Sequence, residues 1–148
     1  YKTSAIRFVD DVPHDFKLIF RWISTSSVTS LTLSNGRRRN GTCAKFLSDI
    51  GFQRFKYLRT LTLYDVSCSE LQQLSKYVIP ASLSLLAVVF RHTTDDDNES
   101  RARCLSSTIG RLNLRRLMTD ASSNWMKNIS LPHPCNLKEV RLGTCYYE

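Results

Sequence analysis

The chain has 148 residues, of which 42% are hydrophobic and 23% charged, values that fit one globular domain over residues 1–148 and exclude a disordered or fibrous chain. The longest apolar run, Leu85–Phe90, is far shorter than the roughly 18 residues that span a bilayer, so we expect no membrane partner. The net charge of +8 permits an anionic partner without requiring one. No basic and then apolar leader opens the chain at Tyr1, and we expect a soluble fragment of a longer protein.

One six-residue pattern, apolar-x-x-apolar-x-apolar, recurs along the chain. Its clearest copies are VTSLTL, from Val28, and LRTLTL, from Leu58. The six copies start 25, 30, 25, 31 and 23 residues apart, a phasing that chance rarely produces. They predict short strands near residues 3–8, 28–33, 58–63, 83–88, 114–119 and 137–142.

Between these segments the apolar spacing changes from about 2 to about 3.6 residues, the period of an amphipathic helix. Ser67 or Ser69 is suited to cap the third helix, whose first turn would hold Glu70. Pro80 and Gly110 lie where helices should end. The predicted helices cover residues 16–23, 46–50, 71–78, 102–109 and, in a shorter version, 125–129.

A single strand followed by a single helix of this size cannot bury its own apolar faces. Stacking similar units solves the problem, because each strand then pairs with the next and each helix covers the same side of the sheet. The sequence therefore predicts an α/β solenoid of about six strand-helix repeats, with a parallel concave sheet and helices on the convex side.

The strand pattern resembles that of leucine-rich repeats. The last copy extends the match, because Leu137, Val140, Leu142 and Cys145 read L-x-x-L-x-L-x-x-C. The segments VTSLTLSNG and LRTLTLYDVSCSELQQL are similar to the repeat region of F-box leucine-rich repeat proteins. This resemblance implies a protein-interaction module that selects substrates for a ubiquitin ligase. The F-box that binds the adaptor would lie upstream, outside this chain.

The match to the repeat pattern has departures. Asn35 falls one place short of the slot that leucine-rich repeats give to asparagine or cysteine, and Thr3 and Thr119 replace leucine. The third to fifth repeats lack asparagine and cysteine in that slot. The fold class is therefore better defined than the subfamily. The chain also ends in a strand-like segment without a polar cap, so we expect further repeats to follow.

Two repeats are longer than the others, because residues 35–41 (NGRRRNG) and 92–99 (HTTDDDNE) add a loop between strand and helix. Both insertions follow a strand, so both should project from the same edge of the solenoid. Extra residues on one edge are typical of binding loops, and tolerated surface loops are the alternative. Their opposite charges would also let the two loops pair with each other.

The x positions of the strand pattern should face away from the core, and they are rich in positive charge. Six of the fifteen are basic and one is acidic. Because neighbouring strands lie about 4.8 Å apart, the basic residues of the last two strands should form one patch. Arginine forks suit carboxylate or phosphate groups, which favours an acidic or phosphorylated protein segment as the partner. The candidate partner-binding residues are Arg37, Arg38, Arg39, Arg59, Arg115, Arg116, Lys138 and Arg141.

Nucleic acid is the competing ligand for a basic face. Base stacking would need aromatic residues among the arginines, and the x positions hold none. We therefore expect a protein rather than a nucleic acid as the partner.

No catalytic or metal-binding pattern is present in the sequence. The three histidines, His14, His92 and His133, fall in different repeats without a companion at ligand spacing. Nucleophile-elbow, zinc-protease and phosphate-loop motifs are also absent. We expect no enzymatic activity, no metal and no cofactor.

Two features give opposite indications of the compartment. Five cysteines without a CxxC pair favour a reducing compartment, the cytoplasm or the nucleus. Glycosylation sequons at Asn40, Asn98 and Asn128 instead fit an extracellular or immune-type leucine-rich repeat receptor. We expect the intracellular location and keep the extracellular receptor as the alternative.

Overall fold

The computed structural model describes residues 4–8, 16–36, 42–76, 81–91, 98–120, 127–131 and 133–143. The strands in these ranges form one sheet in which each strand pairs in parallel with the next strand along the chain. The parallel α/β architecture expected from the sequence is therefore confirmed. The strands are β1 (Ser4–Arg7), β2 (Val28–Ser34), β3 (Thr60–Val66), β4 (Leu85–Phe90), β5 (Arg116–Thr119) and β6 (Glu139–Leu142).

Helices connect the first five strands. They are α1 (Phe16–Trp22), α2 (Thr42–Ile50), α3 (Cys68–Lys76) and α4 (Asn98–Arg111), with short 3₁₀ turns at Thr25–Ser27 and Phe52–Arg54. None of the helices in the described ranges is long and apolar enough to cross a membrane.

The ends of two helices follow from local sequence. Ser67 caps α3, because its hydroxyl accepts a hydrogen bond from the Glu70 amide at 3.2 Å. Gly51 follows α2 with φ at +78°, a left-handed conformation that favours glycine. Its amide donates to the Leu47 carbonyl at 3.2 Å and so satisfies one of the last carbonyls of the helix.

One face of the sheet is buried against the helices. Alternate strand residues form rows across this face, and α2 packs against α3, which packs against α4. The core is contributed by both layers, with Phe46 of α2, Leu71 of α3 and Leu105 of α4 among its buried side chains. The central row of the buried face is Leu31, Leu61, Leu86 and Leu117.

Four of the six strands begin two residues later than the sequence pattern predicts, and for the last three of them the backbone explains the shift. The carbonyl of Arg59 accepts hydrogen bonds from both Ser84 and Leu85. The carbonyls of Ser84 and Arg115 each accept two amides of the following strand segment in the same way. These forked bonds interrupt the regular ladder before β4, β5 and β6, so the first two residues of the last three copies of the pattern lie beside the sheet without belonging to a strand.

The last predicted helix, at residues 125–129, differs from the structure. Residues 127–131 have a turn and irregular backbone, and residues 121–126 lie outside the described part of the chain. The apolar spacing there was short, with only Trp125, Met126 and Ile129 in phase, and an isolated turn of helix is unstable without tertiary packing.

Candidate functional site

The face of the sheet opposite the helices, here called the open face, carries three rows of side chains. The rows follow from the strand register and from backbone hydrogen bonds of 2.8–2.9 Å that link Thr29 to Arg59 and continue to Lys138. The first row is Thr29, Arg59, Ser84, Arg115 and Lys138. The second row is Ser30, Thr60, Leu85, Arg116 and Glu139. The third row is Thr32, Thr62, Ala87, Met118 and Arg141.

The chemistry of the open face changes from one end of the sheet to the other. On β2 and β3 the second and third rows consist of serine and threonine hydroxyls. On β4 they consist of Leu85 and Ala87, and Met118 of β5 lies beside Ala87 in the register. On β5 and β6 the exposed residues are mainly cationic. The face therefore divides into a hydroxyl part, an apolar part and a cationic part.

The cationic part brings together three of the predicted binding residues. Arg115 and Arg116 are consecutive, and the Lys138 amide donates to the Arg115 carbonyl at 2.8 Å, so all three start from adjacent points of the backbone. All three side chains are exposed. Among the residues that the structure describes, no carboxylate forms an ion pair with any of them. Their positive charge is available to a ligand.

The other predicted binding residues are placed differently. Arg141 lies in the third row with its Nε 2.5 Å from Oε1 of Glu139, so an acid on the same strand already compensates its charge. Arg59 is exposed on the same row as Arg115 but two strands away, about 10 Å at the usual strand spacing. Arg37, Arg38 and Arg39 lie outside the described residues.

A buried polar cluster at the carboxyl ends of β2 and β3 was missed by the sequence patterns. Asn35 is only 1% exposed, and its Nδ2 donates to the Asp65 carbonyl at 3.1 Å and to Oε2 of Glu70 at 2.5 Å. Its Oδ1 accepts the Cys43 amide at 2.9 Å. Glu70, read from the sequence as an ordinary acid of a helix start, is 5% exposed. Within the described part of the chain, Oε1 of Glu70 has no hydrogen-bond partner.

The cluster does not create a reactive thiol. Burial raises the pKa of Cys43 far above its ordinary value, and the nearby charges of Glu70 and Asp65 raise it further, against a smaller lowering by Arg91. Because a thiolate is the nucleophilic form, Cys43 stays protonated and inert in the folded protein. The cluster is therefore a structural support.

The roots of the two long loops are joined. Nη2 of Arg91, just after β4, donates to the Gly36 carbonyl, just after β2, at 3.0 Å. Arg101 in α4 donates to the Arg91 carbonyl at 3.0 Å and places its guanidinium 5.6 Å from the ring centroid of Phe90. Both loops thus leave from one edge of the sheet, and residues 37–41 and 92–97 themselves lie outside the described residues.

A polar cleft of about 230 Å³ lies at the opposite edge, between the end of α4 and the segment before β6. Arg111, Asn113, Cys135 and Asn136 contribute to its lining, and the two asparagine side chains are hydrogen-bonded to each other. Across the described ranges, no group of three histidine, cysteine or acidic side chains could hold a metal ion. The open face is the more extensive surface with unsatisfied charge.

No protein-family model, curated protein or solved structure matches this chain. The fold and the open face are therefore the features that bear on function.

Proposed function

We propose that this chain is a leucine-rich-repeat-type solenoid that binds a protein partner through the open face. The repeated strand pattern of the sequence and the forked hydrogen bonds at Arg59, Ser84 and Arg115 support a repeating architecture. In such an architecture the x positions form one continuous, rigid surface, which suits recognition by preorganised complementarity.

The observation that carries the proposal is the group of Arg115, Arg116 and Lys138, exposed together without an acidic partner in the described residues. Like charges repel one another, so such a group is favourable where an anion binds it. The partner is an acidic or phosphorylated segment of a protein, bound without a covalent step or a cofactor.

Charge reversal tests this proposal. The variant Arg115→Glu/Arg116→Glu/Lys138→Glu is compared with Lys17→Glu/Arg21→Glu/Lys45→Glu, which changes three exposed cations of α1 and α2 by the same net charge. Affinity is measured against a library of acidic and phosphorylated peptides. We expect the open-face variant to lose at least about tenfold in affinity, since hydrogen bonds to charged groups contribute about 1.5–3 kcal/mol each, and the control to bind like the unmodified chain.

Two outcomes contradict the proposal. Equal loss in both variants would mean that only the net charge matters. If DNA or RNA oligonucleotides bind more tightly than the peptides, with a strong dependence on salt concentration, the nucleic-acid alternative is favoured. None of the three rows of the open face contains an aromatic side chain on which a base could stack. This absence supports a protein partner.

The proposed parent is an F-box-type substrate receptor of a ubiquitin ligase in the cytoplasm or the nucleus. Cys43, Cys68 and Cys104 are buried cysteines that form no disulfide bond, and Sγ of Cys104 donates to the Cys68 carbonyl at 3.3 Å, which suits a reducing compartment. Peptide mapping of the native full-length protein by mass spectrometry decides the parent. An upstream F-box with unmodified Asn98 and Asn128 supports it, and a cleaved signal sequence with glycans on these residues supports the extracellular alternative.

A further inference from the structure

The apolar part of the open face lies directly beside the cationic part. Leu85 is only half-buried, although leucine side chains are usually buried. The reason is that it lies on the open face, whereas the next residue, Leu86, belongs to the central row of the buried face. In the register Leu85 is next to Arg116, and Ala87 is next to Met118. A ligand that reaches the cations thus also meets a small aliphatic surface formed by the half-buried Leu85 and Met118, whereas Ala87 beside Met118 is only 4% exposed.

The charge of the cationic part suits a dianion better than a single carboxylate. Glu139 lies beside Arg116 in the register but pairs with Arg141, which leaves the neighbouring residues Arg115, Arg116 and Lys138 without an ion-pair partner among the described residues. A phosphorylated side chain carries about −1.5 to −2 charges and three acceptor oxygens, so one group can engage all three cations. A carboxylate has half that charge and geometry for one bidentate partner.

The spacing between the two parts is set by the sheet. The centre of the pair Leu85 and Met118 is displaced from the centre of the pair Arg115 and Lys138 by one strand and about two residues. With about 4.8 Å between strands and about 3.3 Å per residue, the separation is about 8 Å, the span of two to three residues of an extended chain.

We propose that the open face binds an extended peptide segment in which an aliphatic side chain lies on Leu85 and Met118 and a phosphorylated residue, two or three positions away, lies on Arg115, Arg116 and Lys138. This inference rests on the proposed function and specifies its ligand. The segment crosses β4, β5 and β6, and the hydroxyls of β2 and β3 are outside its footprint.

The test uses synthetic peptides in a neutral glycine-serine host, with leucine and phosphoserine separated by one to five positions. Binding is followed by fluorescence anisotropy. We expect peptides with a separation of two or three to bind about tenfold more tightly than the same peptides with serine in place of leucine, as expected for burial of one aliphatic side chain. These comparisons change only the peptide, so they do not depend on the folding of a variant.

A double-mutant cycle locates the leucine. In Leu85→Ser/Met118→Ser the advantage of the leucine peptide should disappear, whereas in the matched control Thr32→Ala/Thr62→Ala, on the same face at β2 and β3, it should remain about tenfold. Thermal unfolding of both variants verifies that they are folded.

The outcomes separate the two proposals. If phosphorylated peptides bind regardless of the leucine or its spacing, this inference is wrong and the proposed function stands. If a glutamate peptide binds as tightly as the phosphoserine peptide, the phosphate assignment is wrong. If no anionic peptide binds at all, the proposed function fails together with the inference.

Discussion

Asn35 is a buried residue whose hydrogen bonds reach one strand and two helices. One side chain hydrogen-bonds the Cys43 amide in the first turn of α2, the carbonyl of Asp65 and one carboxylate oxygen of Glu70. Its own amide continues the ladder to Tyr64 at 3.2 Å. Asn35 therefore connects the ends of β2 and β3 with the starts of α2 and α3.

Replacing Asn35 by alanine should lower the free energy of unfolding by about 2–4 kcal/mol, because it leaves several buried polar groups without partners. Chemical denaturation gives the value. Asn113→Ala is the control, since Asn113 is exposed and its side chain bonds the exposed Asn136 and no other side chain in the described part of the chain, and it should cost about 0.5 kcal/mol or less. Similar losses in the two variants would show that Asn35 has no special role.

At this scale the sequence offers Ser67 or Ser69 as the cap of α3, of which the structure has Ser67, but it misses the role of Asn35. The repeat pattern counts residues and assigns the asparagine slot to residue 36. That count gives no role to Asn35, which directly follows the end of β2 at Ser34 and still pairs its amide with the Tyr64 carbonyl. The burial of Glu70 is equally invisible, because its partner Asn35 lies 35 residues away in the sequence.

At the scale of elements, aromatic rings fasten α1 to the rest of the molecule. Phe20 of α1 lies 5.7 Å from Phe46 of α2 and 5.7 Å from Phe55, measured between ring centroids. Phe8 lies 5.4 Å from Phe46. The apolar spacing of residues 16–23 predicts that one side of this segment packs against the core. In the structure Ile19, Phe20 and Ile23 do so. Phe20 contacts the other three rings, and the fully buried Phe46 contacts both Phe8 and Phe20.

Phe46→Ala should destabilise the protein by about 3–5 kcal/mol, since it opens a cavity among rings that cannot close around it. Trp22→Ala is the matched control on α1, because Trp22 is 89% exposed and should change stability by no more than about 0.5 kcal/mol. Thermal or denaturant unfolding compares the two. A larger effect at Trp22 than at Phe46 would contradict the packing described.

For the open face, the sequence predicts which residues lie outside the core but not which charges remain available. Because side chains alternate along a strand, the sequence predicts directly which residues of Arg116–Thr119 point toward the core and which point away from it. The ion pair between Glu139 and Arg141 follows from side-chain geometry on one strand, which a pattern of residue types does not contain. The apolar neighbour of the cations, Leu85, is visible only once the register of β4 and β5 is known.

Across the whole molecule, packing is not uniform. The inward residues of β2, β3 and β4 are buried, whereas Val140 and Leu142 on the inward side of β6 are 40% and 43% exposed. In an array where each unit contacts its neighbours, local stability follows local burial. The sheet should therefore open first at β6.

Amide hydrogen exchange measured by mass spectrometry or NMR should show this gradient. We expect the amides of β2 and β3 to exchange slowest and those of β6 fastest, because opening β6 exposes little additional apolar surface. The comparison within one sample is its own control. Protection of β6 equal to that of β3 would mean that the sheet opens as one cooperative unit.

The order of the strands has a consequence for how the chain acquires its structure during synthesis. Every ladder in the described sheet joins strands that are adjacent in the sequence. For example, Leu31 and Leu61, which are paired in the register of β2 and β3, are 30 residues apart in the chain. Closing such loops costs little entropy, and none of these pairings waits for a distant segment. Each strand can therefore dock on the one before it soon after it leaves the ribosome.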